Sequence, residues 1–167
     1  WGRIPETQRV SSLRLAWQDL WSKITKYLPK DDITGIGEAF VFAAESHGGQ
    51  MRYSGDPYVV HTVSVAAILA GMEIDRETII ASLLHDVLED TQITAEELSE
   101  KFGAGVVTLV DGVTKLGKLP FKTFEDYQAE NLRKMFVVMA KDIRVVLIKL
   151  ADRLHNMRTI SSHKREK

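Results

Sequence analysis

The sequence predicts an all-α fold of about eight helices. Apolar residues recur at intervals of three and four along almost the whole chain, which is the spacing of one buried helical face. Proline, glycine and capping residues separate these apolar runs. The run 106–110 is apolar enough for a buried strand, but the sequence offers no second strand to pair with it. A helical bundle is therefore the expected architecture.

The individual helices are assigned from the residues that begin and end each apolar run. Pro29 ends the first helix, and Asp31 or Asp32 caps the second. Thr94 and Glu97 form a capping-box pattern ahead of the fifth helix. The expected helices cover residues 11–28, 31–47, 58–72, 75–89, 94–102, 104–116, 123–141 and 142–162.

The composition is that of an ordinary globular domain and excludes several classes of protein. Of the 167 residues, 44% are hydrophobic and 27% charged, which is enough for a single core. A net charge of −1 argues against DNA binding, and no apolar run reaches the ~18 residues of a membrane span. The absence of cysteine excludes thiolate metal sites and fits a cytoplasmic protein. Because the chain does not begin with Met, we expect residues 1–167 to be one domain of a longer protein.

Residues 83–90 carry the strongest chemical signal, because four polar side chains interrupt an apolar helical run. On a continuous helix, His85, Asp86, Glu89 and Asp90 fall within an arc of roughly 140°. His85 and Asp86 offer an imidazole nitrogen and a carboxylate oxygen to one divalent ion, and Glu89 and Asp90 lie one turn further on, within reach of water. The alternative interpretation is an amphipathic helix with a solvated acidic end.

Two further side chains can complete a metal site. His61 lies among valines in the third helix, where a histidine is more often a core residue than a ligand. Asp152 interrupts the apolar face of the last helix, where it could instead pair with Arg153 or Arg158. His47, at the end of the second helix, is expected to be a surface residue or a partner of the helix dipole. Together, two imidazoles and two carboxylates on separate helices suit a borderline ion such as Mn, Fe or Zn.

The order H…HD…D of His61, His85–Asp86 and Asp152 resembles the HD phosphohydrolase superfamily. Three segments also resemble the N-terminal hydrolase domain of long RelA/SpoT homologues: QMRYSGDPYVVH at 50–61, LLHDVLEDT at 83–91 and IKLADRLHNMRT at 148–159. The resemblance implies an HD-domain helical bundle that removes the 3′-pyrophosphate of the alarmone (p)ppGpp with Mn²⁺, giving GDP or GTP. It also implies that a synthetase domain, absent from these residues, follows in a bifunctional protein also named a GTP pyrophosphokinase.

The resemblance assigns a role to each matching position. The metal ligands would be His61, His85, Asp86 and Asp152, and the acidic pair that activates water would be Glu89 and Asp90. Three other residues would contact the nucleotide: Arg52 would pack on the guanine, and Asn156 and Thr159 would line the nucleotide-facing side of the last helix. These two, with Lys149 and Asp152, share one helical face by their spacing.

One position departs from the family pattern. Some relatives have a basic residue after the loop arginine, where this chain has Tyr53, so the pyrophosphate charge must be met elsewhere. Two rival functions stay open at this point. The chain could be an HD phosphohydrolase acting on another nucleotide, against which Arg52 and the Asn156/Thr159 face argue. It could also be a non-catalytic, alarmone-binding regulatory module, although such a module does not need all four metal ligands.

Overall fold

The computed structural model describes residues 6–117, the single residues 133 and 137, and residues 141–160. All the regular elements in these ranges are helices, which confirms the predicted fold class. They are α1 (Glu6–Ile24), α2 (Lys30–Ser46), α3 (Tyr58–Ala70), α4 (Arg76–Leu84), α5 (Val87–Asp90), α6 (Ala95–Phe102), α7 (Ala104–Gly117) and α8 (Ile143–Arg158). The predicted helix 123–141 lies almost wholly outside the described residues.

Helix α3 is the centre of the bundle. Nine of its 13 residues are buried, because apolar side chains occur on every side of it rather than along one stripe. It packs against α1, α4 and α8. Helix α4 is buried over seven of its nine residues and also contacts α2 and α7. A polar residue on the inner face of α3 is therefore held rigidly between α4 and α8.

The predicted helix 75–89 is wrong in one respect, because the chain leaves the helix at His85 and Asp86. Helix α4 ends at Leu84, and the short α5 begins at Val87. The His85 Nδ1–H donates to the Ser82 carbonyl over 2.7 Å, so a side chain takes an acceptor that the backbone would otherwise use. Asp86 then adopts φ −99° and ψ −5°, and the turn aims both side chains inward.

Helix boundaries differ from the predicted ones by a few residues elsewhere. Helix α1 begins at Glu6 rather than near residue 11, and ends at Ile24 in a turn before Pro29. Pro29, not Asp31 or Asp32, occupies the N-cap of α2. The two aspartates lie in the first turn, where their negative charges interact favourably with the positive end of the helix dipole. The capping box ahead of α6 and the α-helical state of residues 106–110 are confirmed. None of the described helices is long and apolar enough to cross a bilayer.

Candidate active site

Three parts of the bundle bring the four predicted metal ligands together. His61 comes from the first turns of α3, His85 and Asp86 from the turn between α4 and α5, and Asp152 from the middle of α8. His61 and His85 are 2% and 1% exposed, and Asp152 is 6% exposed. The packing of α3 between α4 and α8 thus converts a pattern spread over 92 positions into one buried cluster.

The distances within the cluster are those of a site that can close on one ion. One ligand atom from each of His61, His85 and Asp86 lies within 4.8 Å of the other two. Asp152 Oδ1 is 3.3 Å from His61 Nε2, and Asp86 Oδ2 is 3.0 Å from His85 Nε2. The oxygens of Asp152 are also held from their own helix, by Asn156 Nδ2 at 2.7 Å and by Lys149 Nζ at 3.1 Å.

His85 provides the test of whether a cation fits this site. Its Nδ1–H donates to the Ser82 carbonyl, so its Nε2 is the nitrogen that faces the cluster. That Nε2 is buried, and although Asp86 Oδ2 lies 3.0 Å away, it makes no well-aligned hydrogen bond within the described residues, a costly state for a polar atom. Burial lowers the pKa of His85, but the carboxylates of Asp86 and Asp152 outweigh it and raise the pKa overall. The site therefore favours positive charge at Nε2, which a bound divalent cation would supply.

The two carboxylates are ionised despite their burial. Burial raises the pKa of Asp86, but His85 and the Tyr58 hydroxyl lower it more, so it lies well below its usual range. Burial likewise opposes the ionisation of Asp152, whose pKa is nevertheless lowered to about 2 by its neighbours, His61 first. Two anions next to two imidazoles form a donor set that suits a divalent cation.

The predicted nucleotide-binding residues lie beside this cluster. Arg52 sits in a loop closed by two backbone bonds, from its own N–H to the Asp56 carbonyl (2.9 Å) and from the Tyr58 N–H to the Gln50 carbonyl (3.0 Å). Its guanidinium Nη2 donates to Asn156 Oδ1 over 2.6 Å, which joins the loop to α8. The structure thus brings Arg52 and Asn156 together next to the ligands.

Thr159 and the acidic pair lie at the ends of their helices. The Thr159 hydroxyl donates to the carbonyls of His155 and Asn156 in the last turn of α8. Glu89 and Asp90 end α5 and are exposed, one turn beyond Asp86. The Glu89 and Asp90 N–H groups both donate to the Asp86 carbonyl, at 3.1 and 2.8 Å. The backbone therefore fixes the acidic pair relative to the ligand, and both residues are exposed.

Sequence reasoning gave no role to Tyr58, although it touches a ligand directly. Its hydroxyl donates to Asp86 Oδ2 over 2.6 Å. Burial, Asp86 and Asp90 all raise the Tyr58 pKa, so the hydroxyl keeps its proton and remains a donor. Its place three residues before His61, on the same face of α3, was the available signal.

His155 is the second residue that sequence reasoning missed. Its Nδ1 is 2.8 Å from His61 Nδ1 and 3.4 Å from Arg52 Nη1. Burial, followed by the charges of His61 and Arg52, lowers the His155 pKa to about 4, so the ring is neutral at ordinary pH. Its spacing of three residues from Asp152 places it on the ligand-bearing face of α8.

His47 occupies the C-cap of α2, where the dipole alternative placed it, but the alternative of a surface residue is wrong. It is only 3% exposed, because its ring stacks on that of Tyr58 with centroids 4.7 Å apart. Its Nδ1 lies 2.9 Å from Gln50 Oε1, and Gln50 Nε2 donates to the Asp90 carbonyl over 3.0 Å. Through Gln50, His47 thus helps to connect the loop that carries Arg52 to the end of α5.

Comparison with known proteins agrees with this geometry. The family model described as HD domain matches residues 39–167. The bifunctional (p)ppGpp synthase/hydrolase SpoT of Escherichia coli K12 is 50% identical over 151 residues, which cover 90% of this chain and 22% of that protein. A GTP pyrophosphokinase of Myxococcus xanthus is 50% identical over 147 residues, or 86% of this chain and 19% of that protein. The chain thus spans about a fifth of the length of these relatives.

A solved structure of a SpoT relative also matches this chain. It is that of a metazoan orthologue of SpoT, described as hydrolysing ppGpp and playing a role in starvation responses. It matches with a TM-score of 0.59 and 32% identity, and the match covers 76% of this chain and 70% of that one. The chain belongs to the HD domain family, and within it to the SpoT-like hydrolase domains of the RelA/SpoT homologues.

Proposed function

We propose that this domain is a metal-dependent phosphohydrolase that removes the 3′-pyrophosphate of (p)ppGpp and returns GDP or GTP. The observation that carries the proposal is the position of the Arg52–Asn156 pair directly beside the buried cluster of His61, His85 and Asp86. A metal site and a cationic nucleotide-binding site are thereby joined in one place. The printed names of the bacterial relatives and of the metazoan structure support this choice of substrate.

His61, His85, Asp86 and Asp152 would hold the metal, and we propose Mn²⁺ as the ion, with Fe or Zn as possible replacements. A divalent ion bound there lowers the pKa of water and neutralises phosphate charge. The protein's own contribution is to keep the two carboxylates ionised and all four ligands oriented. The Tyr58 hydroxyl occupies one lone pair of Asp86, and Lys149 and Asn156 each contact one oxygen of Asp152.

Glu89 or Asp90 is proposed to accept the proton of the attacking water. The water oxygen forms a bond to the phosphorus at the 3′ position, the bond between that phosphorus and the 3′ oxygen breaks, and pyrophosphate leaves. The nucleotide keeps its 3′ oxygen, which takes up a proton to become a hydroxyl. Exposed carboxylates suit this role, since the proton must pass on to solvent after each turnover.

Arg52 offers guanine a planar face and offers phosphate a charge, which a lysine does less well. Asn156 and Thr159 complete the nucleotide-facing side of α8. Because Tyr53 brings no charge, Lys149 is proposed as the second cation that meets the pyrophosphate. The Lys149 Nζ lies 3.1 Å from Asp152 Oδ2 on the same helical face, and the Lys149 side chain is only 20% exposed.

The test is to incubate the purified chain with ppGpp and Mn²⁺ and to separate the products by anion-exchange chromatography. We expect GDP and pyrophosphate in equal amounts, and no reaction in the presence of EDTA. Intact ppGpp, despite measurable binding, would instead favour a regulatory alarmone-binding module. Hydrolysis of other nucleotides in preference to ppGpp would favour a different HD phosphohydrolase.

Arg52→Lys is expected to weaken the binding of ppGpp by about tenfold, roughly 1.4 kcal/mol, with little effect on Mn²⁺ affinity. Lysine keeps the charge but loses the planar fork that reaches Asn156. The measurement is calorimetric titration of ppGpp into a Glu89→Gln background, in which turnover is expected to be at least about 10²-fold lower. Arg153→Lys, an exposed arginine on α8, is the matched control and should bind as the parent does. Equal affinities for the two variants would remove Arg52 from the nucleotide site.

Three further predictions accompany this proposal. We infer that the chain is the N-terminal hydrolase part of a longer bifunctional protein, whose synthetase domain lies outside these 167 residues. The relatives named as synthase/hydrolase and as GTP pyrophosphokinase support that inference. A cytoplasmic location and the lack of direct DNA binding stay predictions from composition.

A further inference from the structure

His155 lies between the two halves of the proposed site. On one side its Nδ1 is 2.8 Å from Nδ1 of His61, and the two rings have centroids 4.9 Å apart. On the other side the same Nδ1 is 3.4 Å from Arg52 Nη1. One atom of α8 therefore contacts both a proposed metal ligand on α3 and the arginine of the nucleotide loop.

The direction of these hydrogen bonds follows from the chemistry of the donors. A guanidinium carries only donors, so the contact with Arg52 requires His155 Nδ1 to be an acceptor. Two imidazole nitrogens 2.8 Å apart need one donor and one acceptor. Because His155 Nδ1 is the acceptor, His61 Nδ1 carries the proton and donates it.

This assignment leaves His61 Nε2 without a proton and directed at the carboxylates. His61 Nε2 is the nitrogen 3.3 Å from Asp152 and 3.9 Å from Asp86. His85 is arranged in the same way, with the Ser82 carbonyl holding its Nδ1–H and its Nε2 facing the cluster. A partner on the far nitrogen fixes the tautomer and the ring orientation of a metal-binding histidine.

We propose that His155 is a positioning residue that fixes His61 for metal binding and shares the same lone pair with Arg52. This inference rests on the proposed function, because it concerns the ligand set of that site. The lone pair can serve one donor fully at a time. When a nucleotide engages Arg52, the guanidinium gives up its share, and the bond from His61 to His155 strengthens. Occupancy of the nucleotide site then tightens the metal site through His155.

The test is calorimetric titration of Mn²⁺ alone into the chain and its variants, without nucleotide. His155→Ala should lose affinity by about 10- to 100-fold, the range found for residues that orient a metal ligand. His155→Asn should retain most of it, because its side-chain oxygen reaches the position of Nδ1. His155→Gln, whose polar atoms reach the position of Nε2 instead, should behave like His155→Ala. Met157→Ala, an exposed change on the same helix, is the control.

Arg52→Met is the second variant of this test, because it removes the guanidinium that competes with His61 for the His155 Nδ1 lone pair. It should bind Mn²⁺ at least as tightly as the parent. Equal Mn²⁺ affinity in His155→Ala and the parent would overturn the inference while leaving the proposed hydrolase intact. Equal losses in His155→Asn and His155→Gln would also overturn it, since they would indicate a packing role. A parent chain that binds no Mn²⁺ would overturn both this inference and the proposed metal site.

Discussion

Asp86→Asn is expected to reduce Mn²⁺ affinity by more than about 100-fold and to abolish hydrolysis with it. The carboxylate is ionised in the fold and lies 3.0 Å from His85 Nε2, so it supplies much of the negative charge that a cation needs. Asparagine keeps the size of the side chain and an oxygen for the Tyr58 hydroxyl, so the helices should pack unchanged. The measurements are Mn²⁺ titration and the ppGpp assay on the same preparation.

Asp111→Asn is the matched control for this substitution. Asp111 is a half-exposed carboxylate on α7, paired with Lys115 one turn away. Its loss removes the same charge from the chain without touching the cluster, and such surface pairs contribute about 0–1 kcal/mol. If both variants bound Mn²⁺ equally well, Asp86 would not be a ligand, and the ion would have to lie elsewhere.

Glu89→Gln is expected to keep Mn²⁺ and ppGpp bound while lowering turnover by about 10²–10⁴-fold, the usual loss when an acid/base group is removed. Glu89 is exposed and held one turn beyond Asp86 by its backbone, which suits contact with water more than with the ion. Glu100→Gln, an exposed change on α6, should leave turnover unaffected. Asp90→Asn, tested in parallel, identifies which of the two carboxylates accepts the proton.

The outcome that contradicts this role is loss of metal together with activity. A Glu89→Gln protein that no longer binds Mn²⁺ would make Glu89 a ligand rather than a base. A protein that keeps both its metal and its full turnover would transfer the role to Asp90.

The helices could be predicted from sequence because their signals are local. The capping box at Thr94 and Glu97 depends on side chains three residues apart, and the spacing of apolar residues reports which face is buried. The break after Leu84 could not be predicted in that way. It depends on a hydrogen bond from the His85 side chain to the Ser82 carbonyl, which competes with the backbone N–H groups for that acceptor. The spacing of apolar residues carries no information about such a bond.

The residues of the site likewise divide into those that the sequence indicates and those that it does not. His61, His85, Asp86 and Asp152 stand out in a sequence because polar groups interrupt apolar helices, and the fold brings them together. Tyr58, His155 and His47 gave no such signal. Tyrosine and histidine are ordinary partly buried residues, and what they do depends on partners 28 to 94 positions away in the chain or on a neighbouring ring.

Four side chains from three parts of the bundle are proposed to hold one divalent ion. The most direct measurement is an anomalous difference map from crystals of the chain grown with Mn²⁺, collected on both sides of the manganese absorption edge. We expect one strong peak within about 2.0–2.3 Å of His61 Nε2, His85 Nε2 and the carboxylate oxygens of Asp86 and Asp152. A peak at other residues, or a fully occupied ion that leaves His61 and His85 uncoordinated, would contradict the account.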